Sequence, residues 1–466
     1  MTIMSERGAV ETPILDRLMH HAARERASFH VPGHHGRYLP QPLSAWLGQA
    51  MKLDLTELPG LDNFHSASDC IAASEDLCAR HYGAYRTYYS VNGATACVMA
   101  ALKGACSAPG GRVILLGPCH MSVWRGLVYA DAAPVFVPSP WNAARQAFDP
   151  PSPALLESVL RRCADVRAVF VTSPTYPGFV ADVPGLAEVA HRHGALLLVD
   201  EAHGAHFGLD GRLPPHSVAQ GADVVIQSPH KTLPCLTQAA WVHVSRPELA
   251  DAVHEALLFL HTTSPSYLLL AALDAAQAFL RSGRDLVRET LDRLQAYRVF
   301  EPDADPMRLW IPTASKARSA QLAARLEAEG MFLESWDASG ALAVFGFGQT
   351  DRDVARFFEA YRAWREEVGE MERENGWLGA RLYEAPAEMA VRPSDIDRVP
   401  GRRVPLIEAV GRIAKRPISP YPPGVPAIWP GQVISEHQAE LLARLWQDGH
   451  DVVGMGADGT IEVCDA

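Results

Sequence analysis

Between residues 70 and 245 the chain alternates short apolar runs with stretches of helical periodicity, and this alternation restricts its fold more than any other feature. The run 195–199 is continuously apolar, as a strand buried on both faces requires, and it closes on Asp200. A second run, 222–226, stops just short of Ser228 and Lys231. Further strands are predicted at 87–91, 112–116, 134–137 and 168–171, with helices at 71–82, 94–106, 123–129, 153–164 and 183–193. This order predicts an α/β domain whose mostly parallel sheet is covered on both faces. Ligands bind at the carboxyl edge of such sheets, so the strand-end residues are the candidates for chemistry.

The flanking regions read differently. Residues 11–29 predict an amphipathic helix with Leu15, Leu18, Met19 and Ala22 on one face. A long helical region, 248–297, is broken near Thr263-Ser264-Pro265-Ser266, and the cluster 301–306 is the best linker candidate. Beyond it lie a strand at 307–311, a helix at 316–329, a strand at 341–347 and a helix at 352–367. After proline-rich 418–430 come a helix at 436–446 and a terminal hairpin, 451–453 with 460–463, turned through Asp458-Gly459. With 466 residues the chain exceeds one ordinary core. The expected division is an N-terminal helix and active-site segment (1–69), a large domain (70–300) and a small C-terminal domain (301–466).

A net charge of −12 argues against nucleic acid and anionic membranes as partners. No window is apolar enough to span a bilayer, and Met1-Thr2-Ile3-Met4-Ser5-Glu6-Arg7 lacks a signal-peptide core, so a cytoplasmic protein is expected. The eight cysteines contain no Cys-x-x-Cys pair, which predicts neither a disulfide framework nor a zinc site. His203 and His206 are spaced i, i+3 but lack further ligands, so no metal is expected.

An acid at one strand end and a lysine just past the next suit pyridoxal phosphate (PLP). The lysine condenses with the cofactor aldehyde, and the carboxylate keeps the pyridine nitrogen protonated. Asn92-Gly93-Ala94-Thr95 opens an apolar helix whose free N–H groups and dipole favour a phosphate dianion; alone it is equally an ordinary helix start. Ser228, one turn before Lys231, adds a hydroxyl. His120 follows strand 112–116 and can stack on a ring. Thr172-Ser173-Pro174-Thr175-Tyr176 brings small hydroxyls to the same edge. No Gly-x-Gly-x-x-Gly follows a strand, so a dinucleotide fold has no support.

These residues resemble the Orn/Lys/Arg decarboxylases, PLP enzymes of the aspartate-aminotransferase fold. The resemblance runs in order through His30-Val31-Pro32-Gly33-His34, Gly60-Leu61-Asp62, Val91-Asn92-Gly93, Ser228-Pro229-His230-Lys231, Thr263-Ser264-Pro265-Ser266-Tyr267 and Tyr421-Pro422-Pro423-Gly424-Val425-Pro426. It covers nearly the whole chain and matches the short members that lack an N-terminal wing domain. It implies a fold type I large domain with a mixed seven-stranded sheet, a small C-terminal domain and a homodimer with shared active sites. It further implies Ala94, Ala202, His203 and His230 around the cofactor, with Ala202 packing under the ring and Thr263 and Ser264 reaching the neighbouring subunit's phosphate. Lys231 and His230 both stand as proton donors.

Several positions depart from the family pattern: His35, Ala94, Met121, Pro177 and Gln432, the last where an acid usually follows Pro430-Gly431. The pair Asp200 and Lys231 is intact. The expected activity is α-decarboxylation of arginine, lysine or ornithine, with Asp54, Glu57, Asp62 and Gln432 as candidate substrate contacts. The Gln432 departure leans toward a substrate outside the usual set. Two alternatives stay open: transamination, elimination or cyclisation of an arginine-like substrate, and a catalytically inactive regulatory homologue.

Overall fold

The computed structural model describes residues 11–24, 27–106, 109–313, 315–369, 378–383, 389–421 and 425–465. The N-terminal stretch 1–7 and residues 422–424 of the proline-rich motif lie outside them. The main sheet has seven strands: β1 (Arg86–Ser90), β2 (Arg112–Leu116), β3 (Ala133–Val137), β4 (Val166–Thr172), β5 (Leu196–Asp200), β6 (Val224–Gln227) and β7 (Ala240–Val244). Their order is β1-β7-β6-β5-β4-β2-β3. Strands β3, β2, β4, β5 and β6 pair in parallel, whereas β7 runs antiparallel to both β6 and β1. The sheet is mixed and mostly parallel, as the resemblance implied.

Strand β7 has no counterpart in the sequence reading. Residues 228–239 separate it from β6, and their one helix, Pro229–Thr232, is a single turn. One turn of helix does not cover the sheet face as a parallel crossover helix does, and the chain turns back to pair antiparallel. The consequence is functional: Lys231 is held in a tight loop at the sheet edge. The other strands and helices of this region fall within a few residues of expectation, because buried parallel strands carry an unbroken apolar signal.

The helix expected at 11–29 is Pro13–Ala22, with Ile14 and Leu18 buried and Met19 exposed. It docks through the buried carboxylate of Asp274, which accepts the Ile14 and Leu15 N–H groups at 2.9 Å each. The region 248–297 is broken twice: once before Tyr267, as expected, and again at Gly283, giving helices Pro247–Leu260, Tyr267–Ser282 and Arg284–Gln295.

Past the linker, strands β8 (Arg308–Pro312), β9 (Ser335–Trp336) and β10 (Gly340–Val344) form an antiparallel sheet in the order β8-β10-β9. Met307 and Ile311 of this region, with Leu322 and Phe357 of the helices that follow, share one core with Leu291 and Tyr267 of the preceding helices, so packing runs across residue 301. A separate core gathers Leu406, Ile428, Leu442, Leu445 and Ile461 near the C-terminus.

The terminal hairpin does not form as expected. Asp451–Val453 pairs with Ser419–Tyr421, and Thr460–Cys464 pairs with Gly401–Pro405. Only a bridge between Met455 and Ile461 joins the two segments. The Asp458-Gly459 turn exists, with Gly459 at φ +74°, but the C-terminal core recruits each strand to a distant partner. Among the described residues, no helix is long and apolar enough to cross a membrane.

Candidate active site

The carboxyl ends of β2, β4, β5 and β6 open onto one cavity of about 560 Å³. Register fixes this convergence: Thr172 lies opposite Asp200, and Asp200 opposite Ile226. The wall includes Gly93, Ala94, Thr95, His120, Asp200, Ala202, His203, Ser228, His230 and Lys231. Residues read from four separate stretches of sequence are therefore brought to one place.

The helix Gly93–Ala105 presents its N-terminus to the cavity, and no side chain caps it. Gly93 adopts φ +75°, which a side chain would resist, and this lets the backbone turn into the helix beside Gln238. Ser228 Oγ is buried without a hydrogen-bond partner. Free N–H groups and an orphaned hydroxyl make a cradle for a phosphate dianion.

Asp200 is almost fully buried, and its Oδ1 accepts the Ala202 N–H at 3.1 Å. Burial pushes its carboxyl above the usual range, opposed by the charges of Lys231 and His120. Such a carboxylate gains from a cationic N–H partner, which a pyridinium supplies.

Lys231 Nζ lies 3.0 Å from His203 Nε2. The exposure of this lysine is toward the cavity, and burial pulls its ammonium below the ordinary lysine value; Asp200 opposes the shift and Arg308 adds to it. On the far side of the imidazole, Arg308 Nη2 donates to His203 Nδ1. An arginine can only donate, so the His203 proton sits on Nε2 and points at Lys231. Burial and Arg308 hold His203 well below its usual value and therefore neutral. The lysine nitrogen is the partner of that donor, and burial and Arg308 both oppose its protonation.

His120 Nδ1 accepts the Ser122 N–H at 3.1 Å, and Ser122 Oγ stands 2.9 Å away, which fixes the ring over the cavity. Burial lowers its proton affinity. His230 Nδ1 donates to the Ala239 carbonyl at 2.8 Å, so its Nε2 is the nitrogen left for the cavity.

The remaining predicted residues lie elsewhere. Ser173 does not line the cavity; it is buried, and its hydroxyl accepts the Ala181 N–H at 3.1 Å. Gln432 is off the wall as well, with its amide spent on the Trp429 N–H and on Gln438. The departure at this position therefore does not alter the cavity, and the lean it gave on substrate loses its basis.

Asp62 accepts four backbone N–H groups, from Asn63, Ser68, Asp69 and Ile71, and serves as a loop cap. Burial opposes its ionisation, but these bonds outweigh it and hold the carboxyl low. Asp54 pairs with His34 at 3.1 Å, and Glu57 accepts from Thr56. Thr263 and Ser264 are exposed on the surface of the chain. None of these five borders this chain's own cavity.

Sequence reasoning missed Arg308, Gln146, Gln238 and Asp337. Arg308 is buried on strand β8, more than a hundred positions from His203, and carries no local motif. Gln238 sits at φ +84° and donates to the Val91 carbonyl at 2.6 Å, tying the lysine loop to the phosphate cradle.

Strand order, the single reversed strand, and the strand-end acid and lysine define a PLP-dependent domain of fold type I, joined to a C-terminal domain. Residues 12–352 match the Orn/Lys/Arg decarboxylase major domain, and residues 378–447 match the C-terminal domain of the same family. The chain belongs to the Orn/Lys/Arg decarboxylase family, a family of PLP-dependent amino-acid decarboxylases.

Among its relatives, it is 31% identical to an arginine decarboxylase of Bacillus subtilis over 473 residues, covering 95% of both chains. It is 30% identical to the uncharacterized protein YaaO of the same organism, covering 94% of both. The constitutive lysine decarboxylase of Escherichia coli superposes with a TM-score of 0.80 at 19% identity, over 98% of this chain and 82% of that one. That likeness shows the fold.

Proposed function

We propose that this chain is a PLP-dependent decarboxylase that releases CO2 from a basic L-amino acid and leaves the corresponding amine. The observation that carries the reading is the convergence of Lys231, Asp200 and an uncapped helix N-terminus on one cavity. When bound, PLP supplies an electron sink into which the bond to the α-carboxylate can break.

The chain's own groups have separable tasks. Gly93, Ala94, Thr95 and Ser228 would hold the phosphate. Asp200 would pair with the ring nitrogen and favour its protonated form. Lys231 would carry the cofactor through its aldehyde carbon. His120 and Ala202 would line the ring's pocket. Lys231 or His230 returns a proton to Cα, and both reach the cavity from the loop after β6.

We also assign a homodimer. Phe29 (96% exposed), Trp46 (86%), Tyr38 (73%) and Val31 (67%) crowd a short N-terminal stretch. So many exposed apolar side chains in one segment support its burial against a second copy. Thr263, Ser264, Asp54 and Glu57 would then serve the neighbouring site.

The test is one assay of CO2 and amine from arginine, lysine and ornithine, alongside the visible absorption of protein incubated with PLP. Wild type should gain a visible band and release CO2 from at least one of the three. Lys231→Ala should lose both. A wild type that stays colourless, or that yields keto acid without CO2, overturns the reading.

A further inference from the structure

Three carboxylates line the cavity, and they are not equivalent. Asp200 stands beside Lys231. Asp149 is already neutralised: it accepts from Asn142 at 3.0 Å and pairs with Arg145 at 3.2 Å. Asp337 has no ion-pair partner among the described residues. Its Oδ1 accepts the Ser339 and Gly340 N–H groups, at 2.6 and 3.1 Å, and burial raises its carboxyl above the ordinary range. With Tyr383, whose phenol its charge acts on, Asp337 marks one end of the cavity.

That end is closed by two loops meeting across one indole. The Trp310 Nε1–H donates to the Arg145 carbonyl at 2.8 Å, next to Gln146. The same ring packs so tightly on Gly340 that an added Cβ would lie 2.6 Å from it. Tyr383 completes the wall: it is edge-on to Phe148 at 5.5 Å, and its phenol is pushed up by burial and by the charge of Asp337. Phe148 in turn meets Trp141 at 5.1 Å.

Three buried polar atoms on this wall lack partners. Gln146 Oε1 and Ser139 Oγ can accept; Trp141 Nε1 can only donate. The Gln146 amide is oriented by its Nε2, which donates to the Ala143 carbonyl at 2.7 Å, so the oxygen is the free end. Gln146 is 3% exposed, and a buried acceptor left unfilled is destabilising.

A carboxylate without a cation, a free amide oxygen and a ring of aromatic faces ask for a donor-only, flat, weakly hydrated cation. An ammonium is compact and strongly hydrated; a guanidinium is planar, forks to two acceptors and stacks on rings. We propose that Asp337 and Gln146, set among Trp141, Phe148, Trp310 and Tyr383, bind the distal guanidinium of an arginine-class substrate whose α-amino end faces Lys231. Arg145 does not oppose this, being tied to Asp149, Asp303 and Glu301. The inference rests on the decarboxylase reading for the substrate's identity, and on the wall residues alone for its charge.

The experiment titrates PLP-loaded protein with agmatine, the amine that arginine would give, and with hexylamine, which lacks the distal charge. Binding is followed by calorimetry and by the visible band. Asp337→Asn keeps an acceptor for Ser339 and Gly340. It should weaken agmatine by at least about 30-fold and change hexylamine by less than about twofold. Gln146→Met should weaken agmatine by about five- to tenfold, and Asp337→Glu should recover part of the loss. Equal effects on both amines, or none on agmatine in either variant, overturn the subsite. If arginine yields no CO2 yet agmatine still depends on Asp337, the decarboxylase reading falls and the subsite stands. If CO2 is released and agmatine ignores Asp337, the reverse holds.

Discussion

Arg308 never needs to touch a substrate to matter. It donates to one nitrogen of His203, and that fixes which nitrogen faces Lys231. Its charge also lowers the lysine's proton affinity, after burial and against Asp200. Arg308→Gln removes both effects, so Lys231 should keep its proton to higher pH. The acid limb of visible-band formation with PLP should therefore move to higher pH, and kcat/KM at neutral pH should fall by at least about tenfold. Arg308→Lys keeps the charge but not the planar fork, and should hold the limb near wild type while recovering little rate. A pH titration of the band in all three proteins measures this; an unmoved limb in the glutamine variant shows that the arginine is structural. The two chemical ends of the site differed in legibility. Asp200 and Lys231 were legible because one ends an apolar run and the other follows the next within a few residues, whereas Arg308 and Asp337 sit in unremarkable local sequence and gain meaning from what folds against them.

The helix Gly93–Ala105 links packing to cofactor binding. Its far end passes so close to helix Pro247–Leu260 that a Cβ on Gly104 would lie 3.0 Å from the Val253 nitrogen and 2.5 Å from its side chain. Gly104→Val must push the helices apart, at a cost of about 1–3 kcal/mol. Because the helix is a rigid rod, its N-terminus should shift relative to Ser228. Thermal unfolding should show a lower Tm, and PLP affinity by fluorescence quenching should drop with it. An unchanged affinity would show that the cradle is set locally by the Gly93 turn. At this scale the parallel strands were predictable from their apolar runs. Strand β7 was not, because its polar His243 interrupts the apolar run of 240–244; nor was the exchange of partners in the C-terminal segment, because antiparallel pairing across distant sequence leaves no periodic trace in either strand.

Over the whole molecule, the surface of residues 29–47 sets the remaining question. Trp46 alone leaves 86% of its area exposed. On the proposed dimer, Trp46→Asp places a charge in an apolar contact and should halve the mass seen by sedimentation at micromolar concentration. Activity should be lost in parallel, since Thr263 and Ser264 would no longer reach a neighbouring phosphate. A monodisperse wild-type monomer with full activity would end that assignment. By itself the sequence determined the alternating α/β layering, the strand ends that carry Asp200 and Lys231, and the helix start at Gly93. These are local consequences of burial and backbone geometry. Only the tertiary structure decided that Ser173, Asp62 and Gln432 spend their polar atoms on the backbone and neighbouring amides, that Arg308 orders the lysine through His203, and that Asp337 lines the cavity with no ion-pair partner among the described residues. Each depends on which polar partners distant segments bring within hydrogen-bond range, and no local pattern records that.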